Sequence, residues 1–209
     1  MASSSDIAFS PAVKTVQERR GSRAAYARME QKGGFMTTIE PSLAGFIADA
    51  RSFYLATASE DGQPYVQHRG GPPGFLRVLD DKTLAFADFG GNRQYITSGN
   101  LEENPRAMIF LMDYANRRRV KIWGTARVVE HDAELNANLF PEGYKARVEA
   151  VILFSVEAWD ANCPQHIPQM LFVEDVALVV DGLKTRIGQL EAENARLRGV
   201  SFHPSEGQK

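Results

Sequence analysis

The chain has 209 residues, 44% of them hydrophobic and 24% charged, which suits one full core or one core with an appended arm. Its 24 Lys and Arg against 26 Asp and Glu leave a net charge of -2, with no global field to recruit nucleic acid or an anionic membrane. The lone Cys163 excludes an internal disulfide, and four scattered histidines make a poor zinc set, so no metal is expected; with no apolar run of roughly 20 residues and no basic-plus-apolar leader, the expectation is a cytoplasmic protein.

Residues 10–29 carry many Ala, Arg, Gln and Glu with sparse apolar positions, the pattern of a helix on a surface or against a partner. Gly33 and Gly34 separate this N-terminal helical arm, residues 1–40, from the segment 41–170. A second helix is predicted over 42–50. Strand signals then dominate: FYLATA from Phe53 and PYVQHR from Pro64 form a hairpin about Glu60, Asp61 and Gly62. The loop GGPPG at 70–74 leads into FLRVL, and Asp80-Asp81 turns the chain into TLAFAD. RAMIFLMD and VKIWGTARVVE make a further hairpin across ANRRR, and AVILFSVEAWD from Ala150 completes about six antiparallel strands. Short strands with few helices favour a closed or nearly closed barrel, since closure removes unpaired edges; a β-sandwich is the alternative.

Within this run, Phe89 leads into Gly90-Gly91, then Asn92-Arg93-Gln94 and a short helix that Pro105 should stop near Asn104. Asn92 is the predicted N-cap, leaving the first helical N–H groups unpaired and pointing at whatever sits above them. A phosphate suits that place, with Arg93 adding a charge-assisted fork and Gln94 a neutral hydrogen bond. The same triplet also reads as an ordinary helix cap with a solvated arginine.

From 174 the pattern changes to a heptad: Val176, Val180, Leu183, Ile187, Leu190, Asn194 and Leu197. With Ile187 and Asn194 at a and Leu183, Leu190 and Leu197 at d, the helix 174–199 is predicted as one strand of a parallel coiled coil. Arg186 would face Glu191 of the other strand, and Glu193 would face Arg198, both attractive pairs. The alternative is an amphipathic helix folded back on its own barrel, and Gly182 within the heptads favours it. Residues 200–209 are expected as a disordered tail.

The segments YVQHRGGPPGFLRVL, FADFGGNRQYI with GNLEENPRA, RRRVKIWGTARVV and WDANCPQHIP together resemble the pyridoxamine 5'-phosphate oxidase-like flavoproteins over residues 46–168. That resemblance implies a mainly β protein with flanking helices: a split β-barrel of Greek-key topology, a homodimer, and FMN held at the subunit interface. Asn92, Arg93 and Gln94 fall where the family has a Ser-Arg-Lys phosphate clamp, so Gln94 removes one positive charge and leaves Arg93 and Arg69 to meet the phosphate. Gln67, His68, Arg69, Gly70 and Gly71 match the strand whose edge lines the isoalloxazine ring, where glycines permit close approach of a flat ligand. Arg119 and Lys121 match a strand carrying a polar contact to the ring, and alternation puts them on one face. Trp159, Asn162, Gln165 and His166 match the stretch that closes the groove from the other side.

That last stretch departs from the family. An Arg-Leu-His-Asp-Arg type motif for the vitamin phosphate is replaced by Asn-Cys-Pro-Gln-His, so oxidation of pyridoxamine phosphate is not expected although the flavin site is. Plainer readings stand beside these: His68 and His166 as ordinary hydrogen-bonding histidines, residues 117–119 as a solvated hairpin tip, Trp159 as a cover over the barrel mouth, and Cys163 as inert. The function expected is an FMN-dependent oxidoreductase moving hydride or electrons between a reduced donor and a small-molecule acceptor, with no catalytic residue identifiable. A flavin-binding carrier or redox sensor without turnover is the alternative, as is a relative holding haem or a deazaflavin.

Overall fold

The computed structural model describes residues 3–140, 144–162 and 164–200; Cys163 and, beyond Val200, the expected tail lie outside the described residues. Two units divide after Ile167, the first containing the sheet and the second a long C-terminal helix.

Pro11 and the Ser10 side chain, which accepts from the Val13 N–H, start α1 (Pro11–Arg20), and Gly21 in the left-handed region ends it before α2 (Arg23–Gln31). The single helix expected over 10–29 is therefore two, because Gly21 breaks the run. The end of the segment expected as an arm is buried: Phe35 stacks on Trp123 with centroids 5.2 Å apart, and Ile39 joins the core ahead of α3 (Pro41–Ala48).

Among the described residues seven strands, one for each strand segment read in the sequence, form one antiparallel sheet: β1 (Ser52–Ala58), β2 (Pro64–Gly70), β3 (Leu76–Val78), β4 (Thr83–Phe89), β5 (Arg106–Asp113), β6 (Arg118–Val129) and β7 (Val148–Asn162), ordered β2-β1-β5-β6-β7-β4-β3. Period-two alternation decides which side of each strand is buried. In β1, Phe53, Leu55 and Thr57 face the core; in β6, Val120, Ile122 and Ala126 do. Leu55, Ile109, Ile122 and Phe154 are wholly excluded from solvent.

The sheet curls until its margins approach. Phe53 of β1 packs edge-on against Phe86 of β4 at 5.0 Å, and Arg69 of the edge strand β2 forms a salt bridge with Asp88 of β4. This is a split barrel, and its split lies where β2 faces β4. Helix α4 (Ile96–Glu103) joins β4 to β5, burying Thr97 and Leu101, and Asn104 caps its end before Pro105, as predicted. A further helix, α5 (Ala133–Leu139), follows β6.

Described by itself, the second unit carries α6 (Val173–Val200), one uninterrupted helix, on which Val176, Leu183, Ile187 and Leu190 of the predicted heptad are exposed.

Candidate functional site

A cavity of about 290 Å³ opens at the split of the barrel, between β2, the end of β4, the turn at 90–95 and the start of α4. Gln67 and Arg69 enter it from β2 because alternation sends them opposite to Val66 and His68. Asn92, Arg93 and Gln94 enter from the turn.

The turn is not built as the sequence suggests. Asn92 does not cap the helix; its side-chain oxygen accepts from the Gln94 backbone N–H at 3.3 Å, a local Asx turn, and the N-cap position is held by Tyr95. Arg93 (φ 58°) and Tyr95 (φ 53°) both take left-handed backbone conformations, which are disfavoured for residues with a Cβ. Such strain gathers at binding sites. The outcome for ligand binding resembles the prediction by another route: Ile96, Thr97 and Ser98 begin α4 at the cavity wall, before the first intrahelical bond from Gly99 to Tyr95. Thr97, itself buried, donates from its hydroxyl to the Gln67 side-chain oxygen at 2.6 Å, which ties the helix start to β2.

Two arginines and two carboxylates share the cavity. Arg69 has a side chain only 10% exposed, is paired with Asp88, and keeps its Nε buried with no hydrogen-bond partner among the described residues. Burial of a donor without a partner is costly, and a water or a ligand atom entering the cavity would supply the acceptor. Arg93 lies 62% exposed with its Nε 3.7 Å from Glu149 of β7, and the Tyr95 hydroxyl donates to the same carboxylate at 3.4 Å. Helix-start N–H groups, an unmatched guanidinium donor and a second, exposed guanidinium fit an anionic group such as a phosphate. Asp88 and Glu149 reduce the positive charge it would meet.

The remaining sequence-predicted residues lie elsewhere. His68 stands on the outer face of the sheet, edge-on to Tyr54 at 5.6 Å, in a row that continues through register partners to Phe110 and Lys121. Lys121 pairs with Asp160 at 3.1 Å, and Arg119 on the same face has its Nε buried without a partner among the described residues. Gly70 and Gly71 do not line the cavity. Internal packing explains Gly71: a Cβ there would sit 2.6 Å from the Phe75 ring. Trp159 is a core residue, 8% exposed, whose Nε1 donates to the Thr38 carbonyl at 2.7 Å and so anchors the segment before α3. Gln165 and His166 are exposed, His166 with a left-handed backbone.

Sequence reasoning missed Tyr65, Asp88, Tyr95, Thr97 and Glu149 as cavity residues. Asp88 left a signal, a charge inside the apolar run TLAFADF. Glu149 left none, because its position depends on pairing between strands distant in sequence.

With this geometry in view, comparisons with known proteins identify a family. The pyridoxamine 5'-phosphate oxidase family model matches residues 39–163. No curated protein matches the sequence. Among solved structures the fold is similar to HupZ of Group A Streptococcus (22% identity, 64% of this chain and 99% of that one, TM-score 0.49). It is similar also to a putative pyridoxamine 5'-phosphate oxidase from Lactobacillus delbrueckii (20% identity, 60% and 95% covered, TM-score 0.47). A third is an FMN-binding protein from Syntrophomonas wolfei (11% identity, 70% and 97% covered, TM-score 0.47).

Proposed function

We propose, from the premise that this chain belongs to the pyridoxamine 5'-phosphate oxidase family, that it binds FMN at the split of the barrel and serves as an oxidoreductase between a reduced donor and a small acceptor. The observation that carries this reading is the meeting of the α4 start, Arg93 and the unmatched Nε of Arg69 in one cavity. When bound, FMN supplies the hydride and electron chemistry. This chain's residues bind and orient it. Arg69 and the N–H groups at the start of α4 would hold the phosphate from below and Arg93 from the solvent side, while Gln67, fixed by Thr97, would meet the sugar chain.

A cavity of about 290 Å³ suits a phosphate and its tail better than a whole flavin, and the outer face of the sheet suggests what completes it. Tyr54 and Val66, the latter 59% exposed, adjoin the half-buried Met108 and Phe110 on that face, and His68, Arg119 and Lys121 flank them. Apolar residues at outward positions call for cover. A second copy laid on this face would bring these three polar residues to a flavin ring at the subunit interface, so the active form is read as a homodimer. The exposed heptad of α6 is read as a parallel coiled-coil pairing in that same dimer. The location is read as cytoplasmic; no helix among the described residues is long and apolar enough to cross a membrane.

The test is direct. Denaturing the purified protein should release FMN, identified by mass, and the native absorption should show two broad flavin bands; a Soret band would replace this reading with haem binding. Arg93→Ala should weaken FMN binding about tenfold or more, as loss of a charge-assisted contact predicts. Unchanged flavin occupancy in that variant would remove the clamp from the proposal. Failure of NADH, NADPH and small organic donors to reduce the bound flavin in stopped-flow mixing would leave a carrier or sensor in place of an enzyme.

A further inference from the structure

Glu149 is placed in the cradle by a fault in the sheet. Asp88 pairs with Ala150 and Phe89 with Val148, so Glu149 is the extra residue of a β-bulge between β4 and β7. A bulge of this kind bends its strand and re-aims a side chain, commonly beside a binding site. Here it sends a carboxylate into the cavity that an anion should enter. The carboxylate is 23% exposed and held from two sides, by the Tyr95 hydroxyl at 3.4 Å and by Arg93 at 3.7 Å.

The charge count gives the consequence. Asp88 offsets the charge of Arg69, which keeps its Nε for an incoming group, so the uncompensated positive charge has to come from the more exposed Arg93, and Glu149 faces it. A phosphate monoester carries close to two negative charges near neutral pH. It would have to take Arg93 from Glu149 and then lie beside the carboxylate it displaced, an arrangement penalised by like-charge repulsion. We propose that Glu149 competes with the phosphate of a bound flavin nucleotide for Arg93, so that the cradle holds its ligand exchangeably and not as a permanent group. This rests on the flavin reading above and adds a specificity-determining residue to it: the barrel supplies an anion site, and the bulge sets how firmly that site closes.

Glu149→Gln keeps the size of the side chain and its hydrogen bond with Tyr95 while removing the charge. Flavin-free wild type, Glu149→Gln and Glu149→Ala are titrated with FMN and with riboflavin, which lacks the phosphate, following flavin fluorescence. Both variants should bind FMN at least tenfold tighter than wild type and release it more slowly, with riboflavin affinity unchanged. Equal FMN affinity in all three proteins would overturn the competition while leaving the flavin site standing. Tightening of riboflavin to the same degree would overturn it as well, since the phosphate would then not be the competitor. Wild type that surrenders FMN only on denaturation would overturn exchangeability, and absence of FMN binding in every protein would overturn the flavin reading together with this one.

Discussion

The wall made by β5, β6 and β7 and the turn at 90–95 follow opposite rules. The wall is apolar on its inner side, regular in alternation and sealed: Ile109, Ile122 and Phe154 have no contact with solvent. The turn is exposed from Gly90 to Tyr95, carries two non-glycine residues in left-handed conformations, and leads to helix-start N–H groups with no intrahelical acceptor. The first region buries apolar area and leaves no donors to offer, while the second buries little and leaves backbone donors unpaired.

Substitutions should separate the two regions. The largest effect belongs to Phe154→Ala, which deletes a wholly buried ring and should cost about 3–5 kcal/mol in denaturant unfolding. A loss below about 1 kcal/mol would show that the wall collapses around the gap and is not a packed core. Next is Gly124→Ala. A Cβ there would lie 1.9 Å from the Ser155 carbonyl oxygen, backbone that cannot move aside, so about 3 kcal/mol of destabilisation or failure to fold is expected, read from soluble yield and melting temperature. Arg93→Ala should then change stability by no more than about 0.5 kcal/mol, since its ion pair is largely exposed, even though FMN affinity falls. A marked drop in Tm for this variant would erase the division between wall and turn.

The smallest effect tests the tip of the β5–β6 hairpin. Burial opposes ionisation of Asp113, but hydrogen bonds from the Asn116 backbone and side chain and from Arg118 outweigh it and hold its pKa below the ordinary aspartate value of 3.8. A depressed folded-state pKa contributes stability above the unfolded value and loses it as pH falls through the folded one. Asp113→Asn should therefore be slightly less stable than wild type at neutral pH, with the gap closing in acid. A gap that stays constant from pH 7 to pH 2 would assign the effect to lost hydrogen-bond geometry and not to charge.

Much of this molecule was legible beforehand. The runs FYLATA, RAMIFLMD and VKIWGTARVV marked strands, and Gly90-Gly91 followed by Asn92-Arg93-Gln94 marked the turn that lines the cavity. The helix starts later than the sequence suggests because Asn92 satisfies its own turn instead of the helix, and Gly71 has a reason in packing against Phe75 that no motif announces. The family resemblance puts Arg69 and His68 on one ligand-lining strand, and that strand sends them to opposite faces, one into the cavity and one outward.

The sequence by itself determined the strand alternation, the breaks at Gly and Pro, the heptad of the last helix and the family, since each is written in spacings of a few residues or in motifs that survive in order. Only the tertiary structure decided which charges share the cavity. Asp88 meets Arg69 because the sheet curls until β2 faces β4, and Glu149 meets Arg93 because a bulge shifts one residue of β7 out of register. Curl and register are properties of many strands pairing at once, and no local stretch of chain encodes them.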